Sequence, residues 1–66
     1  MHFWLFRGEG PEERPQRTPL VAEPFRSLSE ARTVAVSLGG DVDIYGTLPA
    51  GGGWQLIEHI ARVVGR

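Results

Sequence analysis

The stretch HFWLFRG, residues 2–8, constrains the fold more than any other part of the sequence. In a β-strand successive side chains point to opposite faces, so Phe3 and Leu5 would share one face and Trp4 and Phe6 the other. Both faces are then large and apolar. The rest of the chain must cover one face, and either a second layer or a partner molecule must cover the other.

The length and composition predict one small α+β domain over residues 1–66. The chain contains no cysteine, which excludes disulfides and thiolate metal sites, and its two histidines are too few for a metal site of their own. We therefore expect neither a metal nor a cofactor. A domain of this size buries only about 60% of its unfolded surface, so it often gains stability by oligomerising or by binding a partner.

The charges are balanced along the chain, which has a net charge of −1. Nucleic-acid binding normally needs a basic patch, and the sequence shows none. The apolar run at the N-terminus is too short for a signal peptide or a membrane span. We expect a cytoplasmic protein that does not enter a membrane.

The segment SLSEARTVAVSLGG, residues 27–40, predicts an amphipathic helix. Ser27 and Glu30 have the spacing of a capping box, in which the Ser27 hydroxyl accepts a hydrogen bond from the Glu30 amide. Gly39 and Gly40 provide the conformational freedom that ends a helix. The apolar stripe contains Leu28, Ala31, Val34, Ala35 and Leu38.

The opposite face of this helix is small and carries almost no charge, which is unusual for a solvated surface. It is either an ordinary exposed face or a face that packs against a partner. Its residues are Ser29, Thr33, Val36 and Ser37, with Arg32 at the margin.

Two further segments are predicted to be strands. PLVAEPF, residues 19–25, is expected to pair with the first strand through the charged loop 8–18, and Pro24 either ends it or places it at an edge. DVDIYG, residues 41–46, alternates apolar and polar side chains, as a half-buried strand does. A glycine-rich loop over residues 47–53 follows it.

The last segment, WQLIEHIARVV, residues 54–64, fits either a helix or a strand. On a helical wheel its apolar residues fill one half, and Gln55, Glu58, His59 and Arg62 fill the other. Its β-branched residues favour a strand. We predict a helix, with a further strand as the alternative.

These elements give the order β-β-α-β-α, or β-β-α-β-β if the last segment is a strand. The predicted fold is a single sheet of three or four strands with one or two helices packed on it. The first two strands would be antiparallel, and strands 19–25 and 41–46, if parallel, would form a right-handed crossover. Val42 and Ile44 would face the helix, and Asp43 and Tyr45 the opposite side.

No residue pattern in this chain supports catalysis. His59 has no nucleophile or second acid assigned to it by the sequence, and the glycine runs at 8–10 and 51–53 lack the other residues of a phosphate-binding loop. We expect a protein that is not an enzyme.

The composition and exposed apolar residues favour a small protein-interaction module. It would be an adaptor or an inhibitor of a larger assembly, such as phages encode, or a homodimer. The alternative is a protein that binds single-stranded nucleic acid through an aromatic sheet face. The candidate partner-binding residues are Trp4, Phe6, Tyr45, Asp43, Arg32 and Val36.

Overall fold

The computed structural model describes residues 1–8, 18–48 and 53–61. Most of the two predicted loops, residues 9–17 and 49–52, therefore lies outside the described residues. The described part is a small α+β fold with a three-stranded antiparallel sheet in the order β1-β2-β3 and one helix. Its elements are β1 (His2–Arg7), α1 (Leu28–Leu38), β2 (Val42–Thr47) and β3 (Trp54–Ile60).

Helix α1 begins and ends as the sequence predicts. The Ser27 hydroxyl accepts a hydrogen bond from the Glu30 amide, with a distance of 3.4 Å between Oγ and N. Gly39 and Gly40 both have a φ of 74°, a backbone conformation that favours glycine. The Arg7 guanidinium donates to the Gly39 carbonyl at 2.9 Å and so ties the end of β1 to the end of α1.

The core lies between α1 and one face of the sheet. Its fully buried members are Leu5, Ala31, Ala35, Val42 and Ile44. The two alanines are small enough to let α1 approach the sheet closely. Phe3 packs against this cluster, so the pair Phe3 and Leu5 faces the helix and the pair Trp4 and Phe6 faces away.

The prediction of a strand over residues 19–25 is wrong. The backbone of this segment is hydrogen bonded to β1 at two points: the Leu20 amide donates to the Leu5 carbonyl, and Phe25 exchanges two hydrogen bonds with Phe3, all at 2.8 Å. Residues 20 to 25 are too many to match residues 5 to 3 in a regular ladder, so the segment bends away between them. The expected parallel crossover is absent with it, and every strand pair in the described sheet is antiparallel.

The predicted helix over residues 54–64 is also wrong, because the chain forms strand β3 over Trp54–Ile60. Strands β2 and β3 pair as a hairpin whose register shifts beside Tyr45, where one extra residue of β3 is accommodated. Leu56 lies opposite Tyr45 and Glu58 lies opposite Ile44, so the extra residue is Ile57. Residues 62–64 of the predicted helix lie outside the described residues.

This bulge explains why the sequence of β3 resembles a helix. Before the bulge, Trp54 and Leu56 lie on the face that points away from α1. After it, Glu58 and Ile60 lie on the helix side, because they oppose Ile44 and Val42. The bulge thus breaks the two-residue period that identifies a strand and leaves a pattern close to a helical one.

Gly46 gives the bulge room. A Cβ atom at this position would lie 2.8 Å from the Met1 sulfur and 3.1 Å from Ile57 Cγ1. A side chain there would have to displace both neighbours, so the glycine permits the close approach of Ile57 to β2.

Candidate functional site

The sheet face that points away from α1 carries a cluster of four aromatic rings. Phe6 and Tyr45 meet edge to face with their ring centroids 5.5 Å apart, and Trp54 lies 6.0 Å from both Phe6 and Trp4. Such tilted and edge-to-face contacts are favourable between aromatic rings. We expected this face to be exposed, but Phe6 and Tyr45 are 1% and 0% exposed.

The six candidate partner-binding residues fall into two separate groups. Trp4, Phe6, Asp43 and Tyr45 share the aromatic face, where all but the partly buried Trp4 are inaccessible to solvent. Arg32 and Val36 lie on α1, on the other side of the sheet, and Val36 is 60% exposed. The structure therefore does not join the six residues into one surface.

Arg32 connects α1 to β3. Its Nε atom donates to both carboxylate oxygens of Glu58, at 2.5 and 3.0 Å, and both side chains remain partly exposed. The helical interpretation of residues 54–64 placed Glu58 on the polar half of a helix and gave it no partner on α1. The observed partner could be found only after β3 had been recognised as a strand beside α1.

Sequence reasoning did not anticipate the pair formed by Asp43 and His59. These residues are directly opposite each other on β2 and β3, and His59 Nδ1 lies 2.5 Å from Asp43 Oδ1. The Asp43 side chain is fully buried, whereas that of His59 is 45% exposed. A Cβ at Gly8 would lie 2.9 Å from His59 Cε1, so the imidazole also lies against the end of β1.

This hydrogen bond raises the pKa of His59 above its usual value of 6.5. The negative charges of Asp43 and Asp41 act in the same direction, and partial desolvation acts against them. The protonated imidazole donates to the Asp43 carboxylate, so the pair holds the ends of the strands together most strongly when His59 is charged.

The Asp43–His59 pair resembles the part of a catalytic site in which a carboxylate orients a histidine. Catalysis would also need a reacting group at the other ring nitrogen. Among the described residues, no hydroxyl or thiol hydrogen bonds to that nitrogen. The same part of the chain contains no group of three or more His, Cys, Asp or Glu residues placed to hold a metal ion.

The outer edge of β1 is covered by the segment that precedes α1. Phe3 uses both its amide and its carbonyl to bind Phe25, and the Leu5 carbonyl accepts from Leu20. In antiparallel strands the backbone groups of alternate residues point to opposite sides. The backbone groups of Phe3 and Leu5 therefore point outward from β1, and those of Trp4 and Phe6 point to β2.

The same alternation identifies the outward backbone groups of β3. Because Trp4 and Phe6 bond to Tyr45 and Asp43, the residues of β2 that face β3 are Val42, Ile44 and Gly46. Their partners are Ile60, Glu58 and Gln55. The amide and carbonyl of His59, which lies between two inward-facing residues, therefore point away from the sheet, as do those of Trp54 and Leu56.

Strand β3 forms an open edge of the sheet. Within the described ranges, no strand pairs with its outer side and no backbone hydrogen bond reaches it. Proteins commonly protect such edges with proline or lysine, and the sequence WQLIEHI contains neither. The protective devices that β3 does carry are the bulge at Ile57 and the charged side chain of Glu58, which faces α1.

No protein-family model matches this chain, and no curated protein or solved structure gives a significant match to it. In the described part of the chain, no helix is both long and apolar enough to cross a membrane. The proposal for its function must therefore rest on the geometry of the sheet and helix.

Proposed function

We propose that this chain is a protein-interaction module without catalytic activity of its own, and that it binds an extended polypeptide segment along β3. The proposal rests on a difference in backbone hydrogen bonding between the two edges of the sheet. The edge at β1 is hydrogen bonded to the segment around Leu20 and Phe25, whereas the edge at β3 is open in the described structure.

An open edge favours a polypeptide ligand over other classes. Its outward groups at Trp54 and Leu56 have the two-residue spacing of another β-strand, and those of His59 follow beyond the bulge at Ile57. Main-chain hydrogen bonds would supply affinity. The side chains of Leu56 and Ile57, which are only partly buried, would contribute specificity through apolar contacts.

The alternative of nucleic-acid binding gains no support from the aromatic face. Base stacking requires accessible rings, and Phe6 and Tyr45 are buried. The exposed side of α1 offers a second contact surface through Val36, the most exposed large apolar residue among those described.

The proposal is tested by selecting random peptides that bind the synthetic protein, with peptide display and stepwise washing. The test variant carries an N-methyl group on the backbone nitrogen of His59, which removes an outward donor and leaves every side chain unchanged. The matched control carries the same group on the nitrogen of Leu28, the first residue of α1, where a substituted nitrogen is tolerated.

We expect selected peptides to bind the natural protein and the Leu28 control but to lose affinity for the His59 variant. Self-association through β3 would also satisfy the proposal, because the ligand would then be a strand of the same protein. A natural protein that is monomeric and binds no extended peptide would overturn it, as would peptides that bind all three forms equally.

A further inference from the structure

We infer that the strand bound along β3 is the β3 strand of a second copy of this chain. The two strands would run antiparallel about a two-fold axis and form a continuous sheet of six strands, three from each copy. This inference rests on the proposed function and specifies its partner. A two-fold axis between antiparallel strands is perpendicular to the sheet, so both α1 helices would lie on the same side.

Within the described residues, each copy offers one open edge, that of β3. A chain with two open edges would add further copies and grow into a filament, whereas pairing through a single edge ends at two copies. The hydrogen bonds from Phe25 and Leu20 cover the edge at β1. Self-pairing through β3 therefore satisfies the open edge and leaves no second open edge in the described sheet from which further copies could be added.

The charges on β3 also permit two copies of this strand to pair. Two identical strands that pair side by side bring identical charges together, which is unfavourable unless each charge is compensated. The two ionisable side chains of β3 are compensated within their own copy, Glu58 by Arg32 and His59 by Asp43. Two β3 strands therefore approach each other without an uncompensated charge on either strand.

Self-pairing would also bury apolar side chains of β3. A chain of 66 residues has a small core, and its described apolar residues on β3 are only partly buried. Pairing would continue both layers of the fold across the interface. Trp54 and Leu56 would extend the aromatic face, and Ile60 would extend the face beneath α1. The second copy thus supplies apolar contact that a single copy lacks.

The inference is tested by sedimentation velocity of the natural protein and of three variants over a wide range of concentration. We expect the natural protein to convert from monomer to dimer and to form no larger species. The N-methyl His59 variant should remain a folded monomer. The N-methyl Leu28 variant and Val36→Lys should dimerise like the natural protein, because neither changes β3.

A second measurement keeps the inference testable if the His59 variant does not fold. Equal amounts of isotope-labelled and unlabelled chain are mixed, and NMR contacts between different copies are recorded. We expect such contacts between residues of β3 in the two copies. A dimer with contacts at Val36 instead, or a natural protein that stays monomeric throughout, would overturn the inference.

The outcomes separate this inference from the proposed function. A monomeric natural protein that binds extended peptides along β3 would overturn the inference and support the proposed function. A monomeric protein that binds no peptide would overturn both.

Discussion

The two edges of the sheet differ although the strands that form them are similar in length. At β1 the segment 19–25, which contains Pro19 and Pro24, lies over the edge; Phe25 binds the amide and the carbonyl of Phe3, and Leu20 binds the Leu5 carbonyl. At β3 the described chain provides no such cover. Both edges belong to strands paired with β2, so the difference arises outside the paired region of the sheet.

This difference shows how a small domain can limit association without many charges. Edge strands attract other strands through their unsatisfied backbone groups, and each one must be covered, interrupted or used. Covering one edge and leaving the other open makes association directional and self-limiting. We predict the effects of changes in β2, at the covered edge, at the contact between α1 and β3, and in the Asp43–His59 pair.

The largest effect is expected from Ile44→Ala in β2, the strand to which both edges are attached. Ile44 is completely buried, and loss of such a side chain costs about 3 kcal/mol in the free energy of unfolding. Urea denaturation measures this loss. The conservative control Ile44→Val should cost about 1 kcal/mol. An equal cost for the two variants would show that the core between the sheet and α1 is not well packed around this residue.

A smaller effect is expected from Phe25→Ala, which tests the cover of β1. Phe25 is partly buried and packs against the core, so its loss should cost about 2 kcal/mol of unfolding free energy. The exchange of the Phe3 amide with deuterium should become faster. Val36→Ala, at an exposed site on α1, serves as the control and should cost less than about 0.5 kcal/mol. A Phe25 variant as stable as that control would contradict the assigned cover.

The ion pair between Arg32 and Glu58 should contribute less. A double-mutant cycle with Arg32→Ala and Glu58→Ala should give a coupling free energy of about 0.5 kcal/mol, because both side chains are partly exposed. The coupling should fall when salt is added, since salt screens exposed charges. No coupling at low salt would show that the pair does not connect α1 to β3.

The last prediction concerns the pH dependence of stability. Folding raises the pKa of His59, so the folded state binds this proton more tightly than the unfolded state. The stabilisation is fully present below the unfolded pKa of about 6.5 and is lost as the pH rises through the higher pKa of the folded protein. Urea denaturation at several pH values should show this decline in the natural protein.

The matched variant for this prediction is His59→Gln, which cannot titrate. Its stability should vary less across the same pH range, and the difference between the two proteins should shrink as the pH rises. The other histidine, His2, is present in both proteins and cancels in the comparison. Parallel pH profiles for the two proteins would contradict the proton-dependent bond between His59 and Asp43.

Local signals were sufficient to predict much of the fold. The alternation in residues 2–7, the cap at Ser27 and the alternation from Val42 to Tyr45 each depend on neighbours in sequence, and all three predicted elements are present. The prediction that residues 41–46 form a half-buried strand is wrong, because β2 is buried on both faces. The sequence did not show which face of β1 packs against α1. The structure settles it by placing Leu5 in the core beneath the two alanines of the helix.

The features that could not be predicted depend on pairing between distant residues. The bulge at Ile57, which Gly46 accommodates, breaks the two-residue period of β3 and gives the strand a sequence pattern close to that of a helix. The Asp43–His59 pair in turn depends on the register of the β2–β3 hairpin, which no local sequence pattern specifies. The wrong prediction of a strand at 19–25 also reflects long-range pairing. The apolar residues of this segment pack against the core, but their spacing does not match a regular ladder with β1.

The most direct test of the open edge is amide hydrogen exchange, measured by NMR at low and high protein concentration. The Phe3 amide, which donates to Phe25, should be protected at both concentrations. The His59 amide should exchange rapidly in the dilute protein and become protected as the dimer forms. A His59 amide that is protected equally at every concentration would show that β3 is covered within a single chain, and would contradict the account.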